Sequence, residues 1–444
     1  MPLKKRKNSN KKKSGLEEQL QKEKSKPVEL QNQEKIASLT ATLEIAEKDY
    51  IKFTNETVKK NPGLDDYFKK SINPVDFRAF KKHIPKDVAV LGYLMGDNNL
   101  YIFTATSDSV SAFVVDILKT DLEQKLIEFY SMIKDSYPSK EVGEVDVESY
   151  SPKDKSKSME DELYLAPQRK LGTELYDILL GPVRNVTKSK KILCIVPFGK
   201  LYYLPFESLI SSGKSEKIKF VIEDHQIFYA TSFTSFMGNG GEPAPLKLLA
   251  FANADKSLPS AEVEVSKLKK LFADAEIYSE DEATEDKIRN SQHKGFNIMH
   301  FATHGNLNYG EITKSFLTMA KSGSGADESS DGQLTINEVY GLDLTDYKLV
   351  TLSACKSALA EEYVKGWLIS PANAFLEIGV QTVVASLWQV DDEATSILMA
   401  EFYANLQKMP KIEALRQAKL KLIKNPKYAF PYFWAPFIMV GDYR

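Results

Sequence analysis

Two side chains that could act together in nucleophilic catalysis stand at the ends of apolar runs in the second half of the sequence. His304 follows "FNIMHFAT", and Cys355 closes "KLVTLSAC", 51 residues further on. A cysteine thiolate is a strong nucleophile toward a carbonyl carbon, and histidine is the side chain best suited to move a proton near neutral pH. The pair therefore predicts acyl-transfer chemistry if the fold brings the two residues together.

Each of these residues also has a structural interpretation. A free cysteine is usually a small buried hydrophobe, and Cys194, in the middle of "ILCIVPF", is predicted to be one. His300 has apolar neighbours and is predicted to lie in the core. His304 differs because Gly305 follows it, and glycine permits unusual backbone angles and close approach to a ligand. The Gly305 N–H could also donate to an oxyanion.

Apolar runs of four to eight residues recur through the second half and are typical of strands buried on both faces of a parallel sheet. Helical patterns separate most of them, which predicts an α/β layered fold with right-handed crossovers. Ligands bind beyond the carboxyl ends of the strands in such sheets. This rule selects His304, Cys355 and the segment 389–392. The runs are "KILCIVPF", "LKLLAFAN", "FNIMHFAT", "KLVTLSAC", "QTVVASLW" and "APFIMVGD".

The first half of the chain has a different pattern. Residues 87–117 contain three short β-rich runs with turn signals at "GDNN" and "SDS", and helices are predicted near 119–136 and 160–181. The proposed organisation is a disordered basic tail at 1–35, a helical segment at 36–80, a first half at 81–235 and a second half at 240–444.

Composition excludes several classes of protein. The net charge is −2, so the chain as a whole does not indicate nucleic-acid binding, although "KKRKNSNKKK" near the N-terminus is strongly basic. That arm is either a solvated tail or a nuclear or nucleic-acid contact. Two cysteines and five scattered histidines predict no metal site and no disulfide framework. The sequence contains no run of about 18 apolar residues and no secretory signal, so we expect a cytoplasmic protein that does not cross a membrane. We also expect no cofactor.

Several motifs occur together in an order that resembles the CHAT family of caspase-like peptidases. They are "HFATHG", "LVTLSAC", "AFLEIGVQTVVASLWQVDDEAT" and "FWAPFIMVGD", preceded by "IVPFGKLYYLPFESL", "LPSAEVEVSKLKKLF" and "HIPKDVAVLGYLMGDNNLYIFTAT". A histidine about 50 residues before the cysteine is also a caspase spacing. The resemblance covers about 80–444. It implies a caspase-like, mostly parallel sheet flanked by helices, with a degenerate first half at 81–235 and a catalytic half at 240–444.

The resemblance implies a cysteine endopeptidase that cuts specific proteins. Cys355 would be the nucleophile and His304 its acid–base partner, and the backbone N–H groups of Gly305 and Cys355 would form the oxyanion hole. Asp392, or less favourably Asp391, would bind a basic P1 side chain, although a helix N-cap is the more common role of an aspartate at this place.

Regulation and role are also expectations from the resemblance. The family is often fused to tetratricopeptide repeats, and the segment 36–80 is too short for such an array. A protein partner would then activate or inhibit the enzyme, in a defence or cell-death pathway. The loop at 321–333 is a flexible linker or a processing site. The alternative from another class is a non-catalytic scaffold that keeps the fold.

Overall fold

A computed structural model describes most of the chain from residue 80 onward. The described residues are 80–135, 165–211, 218–233, 245–292, 294–308, 314–322, 330–353, 363–364, 367–368, 371–389 and 391–444, with Asn32, Lys35, Ser38, Leu39 and Thr42. The predictions for the basic tail and for most of the segment 36–80 lie outside these residues. So do Cys355 and the middle of the 321–333 loop.

The elements below belong to one compact unit, Val75–Arg444. Its strands are β1 (Val88–Met95), β2 (Asn99–Ala105), β3 (Val110–Asp116), β4 (Ile192–Val196), β5 (Gln226–Tyr229), β6 (Leu248–Ala252), β7 (Glu276–Ser279), β8 (Ile298–Ala302), β9 (Gly305–Asn306), β10 (Phe316–Thr318), β11 (Gln333–Thr335), β12 (Leu349–Leu352), β13 (Tyr363–Val364), β14 (Trp367–Leu368), β15 (Thr382–Ser386) and β16 (Phe437–Gly441).

The α-helices connect these strands. They are α1 (Lys119–Lys134), α2 (Leu165–Leu179), α3 (Arg184–Thr187), α4 (Val221–Asp224), α5 (Pro259–Lys269), α6 (Glu285–Arg289), α7 (Ile336–Val339), α8 (Pro371–Glu377), α9 (Asp392–Leu406), α10 (Lys411–Ile423) and α11 (Pro431–Trp434). Within the described residues, no helix has the length and apolar character that a membrane crossing requires.

Eleven strands of the described part form a single sheet in the order β3-β2-β1-β4-β5-β16-β15-β12-β8-β6-β7. The first three strands form an antiparallel meander, as the turn signals predict. In the second half, β15, β12, β8, β6 and β7 are all parallel. The mixed α/β fold with a large, mostly parallel sheet is therefore confirmed.

The apolar runs of the second half lie in the interior of this sheet. Every residue of β6, β8, β12 and β15 is buried, because helices cover both faces. A strand with two covered faces needs apolar side chains in both directions, which removes the alternation of a half-exposed strand. The prediction of doubly buried strands from continuous apolar sequence is confirmed for these four.

The last strand, β16, runs antiparallel to β15, although its apolar run resembles those of the parallel strands. The reason lies in the connection. The chain leaves β15 through two long helices, α9 and α10, which the short turn at Gln407–Pro410 joins, and then passes through the single turn of α11. A single helix returns the chain to the start of a parallel neighbour, whereas two successive antiparallel helices leave it at the opposite edge of the sheet.

The same strand joins the two halves of the molecule. β16 pairs in parallel with β5 through Val440 and Tyr229. Beneath this junction the Lys419 Nζ of α10 lies 3.0 Å from a Glu207 carboxylate oxygen, and Tyr229 donates a 2.6 Å hydrogen bond to the other oxygen. All three side chains are buried. A buried ion pair thus links α10 to the first half of the sheet.

Candidate active site

The carboxyl ends of four neighbouring parallel strands meet at one edge of the sheet. The strands β6, β8, β12 and β15 are neighbours in the sheet, and Ala252 pairs with Ala302 while Phe301 pairs with Leu352. The segments that follow them form a cleft with an empty volume of about 540 Å³. Its lining residues are Leu258, Ser260, Ala261, Glu264, Ala302, Thr303, His304, Ser353, Ser386, Gln389, Asp392, Thr395 and Phe437.

The backbone of His304 is fixed by a small three-stranded sheet made of β9, β10 and β11. The Thr318 N–H donates to the His304 carbonyl at 2.8 Å. The Thr303 hydroxyl donates to the Thr318 carbonyl at 2.6 Å. Both bonds lie within one residue of the imidazole, so the loop after β8 is held at the position where the ring enters the cleft.

The imidazole of His304 contacts the loop that follows β6. Its Nε2 atom lies 2.7 Å from the Ser257 hydroxyl oxygen and 3.9 Å from Oδ2 of Asp255. The Ser257 hydroxyl in turn donates to Oδ1 of Asp255 at 2.7 Å. Partial burial raises the pKa of Asp255, but the two hydrogen bonds from Ser257 and the nearby His304 outweigh it, so the net pKa is lowered. Asp255 is therefore ionised at neutral pH.

Gly305 follows the histidine as the first residue of β9. Because His304 and Thr318 occupy a hydrogen-bonded position of the antiparallel ladder, the next pair, Gly305 and Leu317, occupies a position whose N–H groups point away from the partner strand. The Gly305 N–H therefore points away from β10. Gly305 is not among the glycines with a positive φ, so an unusual backbone angle is not the reason for a glycine here.

The strand beside β8 leads directly to the predicted nucleophile. The Ser353 N–H donates to the Phe301 carbonyl at 2.8 Å, which extends the β12 ladder by one residue into the cleft. Cys355 lies two residues further on, outside the described residues. The other cysteine, Cys194, is fully buried within β4, and burial raises the pKa of its thiol. Its predicted core position is confirmed.

The two aspartates after β15 have different positions. Asp391 is the N-cap of α9, and its carboxylate accepts a 2.9 Å hydrogen bond from the Ala394 N–H. Asp392 is exposed, occupies the first turn of α9 and lines the cleft. Its carboxylate is thus the one of the two that a ligand in the cleft can meet, while the N-cap interpretation applies to Asp391.

His300 is fully buried, as the sequence predicts, but it lies in a polar cluster and not among apolar side chains alone. Its Nδ1 is 3.0 Å from the Tyr403 hydroxyl, which donates to Thr351 Oγ1 at 2.8 Å. Its Nε2 lies 2.8 Å from Oε1 of Glu264 without the alignment of a hydrogen bond. The other Glu264 oxygen lies 3.5 Å from the Ser353 hydroxyl. The cluster therefore extends from the core to the floor of the cleft.

Comparison with known families identifies this arrangement. The CHAT domain family matches residues 169–442, which is more than half of the chain. The chain belongs to the CHAT domain family. The match includes the histidine loop, β12 with the segment that follows it, and α9.

The CHAT chain is similar over part of its length to much longer proteins. Tetratricopeptide repeat protein 28 of Homo sapiens is 24% identical over an alignment of 333 residues, with a coverage of 60% of this chain and 13% of that protein. The Mus musculus protein of the same name is 23% identical over an alignment of 328 residues, with the same coverage of 60% of this chain and 13% of that protein. The chain therefore spans only a small fraction of these relatives.

Solved structures with a similar fold include separase. The Saccharomyces cerevisiae separase chain, solved as a separase–securin complex, superposes with a TM-score of 0.54 at 12% identity. The superposition covers 97% of this chain and 37% of the separase chain. The identity is low enough that the likeness concerns the fold alone, and it confirms that the CHAT chain has a caspase-like fold.

Sequence reasoning missed Glu264, which lines the cleft, and Asp255 and Ser257, which contact the cleft histidine. Asp255 and Ser257 follow the apolar run "LKLLAFAN", so the rule that selected His304 also selects their loop. Glu264 lies between Ala261 and Val265 on the helical face predicted to be buried. A carboxylate on such a face needs a partner, and that conflict was the available signal.

Proposed function

We propose that this CHAT domain is a cysteine endopeptidase in which Cys355 is the nucleophile and His304 is the acid–base partner. The observation that carries the proposal is the position of the His304 imidazole. It lies in a cleft at the carboxyl edge of β8, next to the strand that ends three residues before Cys355. Adjacent parallel strands are about 5 Å apart, so residues just beyond their ends come within reach of one another.

The chemistry follows from the residue types. His304 takes the thiol proton, and the Cys355 sulfur attacks the peptide carbonyl carbon, whose oxygen becomes an oxyanion. The Gly305 and Cys355 N–H groups would donate to that oxyanion. The carbonyl then re-forms, the C–N bond breaks, and His304 gives its proton to the leaving amine. Water, deprotonated by His304, hydrolyses the thioester and regenerates the thiol.

The charge of the cleft favours substrates with a basic side chain before the scissile bond. The exposed carboxylate of Asp392 and the buried carboxylate of Glu264 both line the cleft. A Lys or Arg side chain would meet negative charge there, whereas an acidic side chain would be repelled. Asp392 remains the proposed contact for that side chain, with Asp391 in a supporting position as the helix cap.

A protein partner is the proposed regulator. The similar proteins carry tetratricopeptide repeats in their name, and the separase structure was solved with securin. Because the chain matches only a part of each of these proteins, a partner or a covalently linked repeat array could supply the activating contact. A role in defence or cell death stays a prediction, as does a cytoplasmic location. For the basic arm, a solvated tail stays the favoured interpretation and nucleic-acid contact the alternative.

A second candidate function is a non-catalytic interaction module. The observation that favours it is the match to repeat proteins of which this fold forms 13%. The two candidates differ in whether Cys355 does chemistry, so one experiment separates them.

The test is turnover of a peptide library with Arg, Lys or neutral residues before the cleaved bond, with and without a cell lysate as a source of activator. We expect cleavage by the wild type and none by Cys355→Ala. Cys194→Ala is the matched control because it replaces the other cysteine, which is buried away from the cleft. No cleavage by the wild type under either condition would favour the interaction module.

A further inference from the structure

The loop after β6 contacts the histidine of the proposed dyad through a short chain of hydrogen bonds. The Ser257 hydroxyl oxygen lies 2.7 Å from Oδ1 of Asp255 and 2.7 Å from Nε2 of His304. The direct distance from Asp255 Oδ2 to the same Nε2 is 3.9 Å. We propose that Asp255 and Ser257 are positioning residues that hold His304 in one tautomer and one orientation for proton transfer with Cys355. This inference rests on the proposed function.

The hydrogen-bond directions can be assigned from proton counts. The Ser257 hydroxyl has one proton, and the Asp255 carboxylate accepts it at 2.7 Å because an ionised carboxylate can only accept. The remaining contact, between Ser257 Oγ and His304 Nε2, must then use a proton carried by the histidine. A neutral imidazole with its proton on Nε2 has its basic lone pair on Nδ1. The loop thereby assigns Nδ1 to the thiol proton.

The same chain serves the charged state of the ring. When His304 takes up the thiol proton it becomes an imidazolium, and the Asp255 carboxylate is near enough to stabilise that charge, directly and through the Ser257 dipole. Ser257 and Asp255 form no bond to the substrate in this scheme. They act on the reaction only through the ring that they orient.

The loop is built to hold this geometry before any ligand binds. Asn253 joins its two ends: its N–H donates to the Ala302 carbonyl at 3.0 Å, and its side-chain oxygen accepts from the Leu258 N–H at 2.7 Å. Asn253 and Lys256 both have positive φ values, 48° and 65°. A lysine in this left-handed region is costly, and such conformations persist where surrounding bonds enforce them, often at functional sites.

A structural role alone would make different predictions. An aspartate that accepts from the residue two positions later is common in turns, where it stabilises the loop and nothing else. In that case Ser257 and Asp255 could be replaced at some cost in stability, with no effect on the protonation pattern of His304. The tautomer and the rate of the thiol reaction therefore separate the two roles.

The experiment compares Ser257→Ala, Ser257→Thr and Asp255→Asn in the full chain. We expect Ser257→Ala and Asp255→Asn to lower kcat for peptide cleavage about 10- to 100-fold with little change in KM, since general acid–base catalysis contributes about 10²–10⁴-fold in total. Ser257→Thr keeps the hydroxyl and should restore most of the rate. Asp281→Asn is the matched charge control: that carboxylate pairs with Lys256 of the same loop but is 83% exposed.

A second readout does not depend on finding a good substrate. The imidazole ¹⁵N shifts of His304, assigned by comparison with His304→Ala, should report a proton on Nε2 in the wild type and in Ser257→Thr, and a mixture of tautomers in Ser257→Ala. Loss of cleavage in Cys355→Ala and His304→Ala together with wild-type kcat and tautomer in Ser257→Ala and Asp255→Asn would overturn the inference and leave the proposed function standing. If Cys355→Ala cleaves as well as the wild type, the proposed function itself fails.

Discussion

The buried ion pair between Glu207 and Lys419 allows a prediction whose size follows from the structure. Glu207 comes from the "LPFESL" segment of the first half and Lys419 from α10, so the pair joins the two halves of the sheet. Burial lowers the pKa of Lys419, and the Glu207 carboxylate beside it offsets only part of that lowering. Glu207→Gln would leave the ammonium group buried without a counter-charge, and a broken buried pair typically costs about 3–5 kcal/mol.

This cost has an upper limit. Lys419 can escape an unfavourable charge by losing its proton. At pH 7 that step costs a lysine with an ordinary pKa of about 10.4 roughly 5 kcal/mol, at 1.36 kcal/mol for each pH unit. At pH 9 the same step costs only about 2 kcal/mol. We therefore expect Glu207→Gln to destabilise the protein by about 3–5 kcal/mol at pH 7 and by about 2 kcal/mol or less at pH 9.

The assay is urea unfolding at the two pH values, followed by tyrosine and tryptophan fluorescence and by far-UV circular dichroism. Glu401→Gln is the matched control. Glu401 of α9 pairs with Lys421, which belongs to α10 as Lys419 does but is more exposed. An exposed ion pair contributes about 1 kcal/mol or less. A loss below about 1 kcal/mol in Glu207→Gln at pH 7, or a loss that does not shrink at pH 9, would contradict a stabilising role of the buried pair.

Two further predictions concern the aspartates Asp391 and Asp392 after β15 and the buried Glu285 of α6. Asp391→Ala removes the N-cap of α9 and should cost about 1 kcal/mol of stability without changing the preference for basic peptides. Asp392→Asn should instead leave stability unchanged and lower kcat/KM for basic peptides. Denaturation and peptide kinetics on both variants check this, and a selectivity change confined to Asp391→Ala would contradict it. Burial and the nearby Glu338 raise the pKa of Glu285 from 4.5 to about 7. The folded state therefore retains a proton that the unfolded chain releases, and stability falls as the pH rises through that interval. Glu285→Gln should remove this fall and gain about 2–3 kcal/mol on the wild type between pH 5 and pH 8. Parallel pH dependences in the two proteins would rule the assignment out.

Much of the fold could be predicted because burial on both faces leaves a direct trace in sequence. The runs that became β6, β8, β12 and β15 are continuous and apolar, and the turn signals "GDNN" and "SDS" separate β1, β2 and β3 where the structure has them. The direction of β16 could not be predicted in the same way, because an apolar run does not encode strand direction. That direction depends on the two long helices, α9 and α10, that run back along the sheet before it.

The short strands around His304 could not be predicted from the sequence either. β9, β10 and β11 have two or three residues each, too few for a periodic pattern, yet they hold the His304 carbonyl through Thr318. The contact between His300 and Glu264 joins a strand to a helix 36 positions away, and no local pattern specifies that distance. By contrast, the Asp255–Ser257 loop directly follows β6, so the strand-end rule predicts it as part of the site, although it contains neither cysteine nor histidine.

The proposed peptidase activity requires that Cys355 is a nucleophile and that His304 activates it. The decisive measurement is the intact mass of the protein after incubation with a peptidyl chloromethyl ketone that carries a basic residue next to the ketone, with the lysate fraction that supports cleavage. We predict one adduct, mapped by peptide mass to Cys355, formed by the wild type and by Cys194→Ala and at least about 100-fold more slowly by His304→Ala. An adduct that forms equally fast in His304→Ala, or that maps to a residue other than Cys355, would contradict the account.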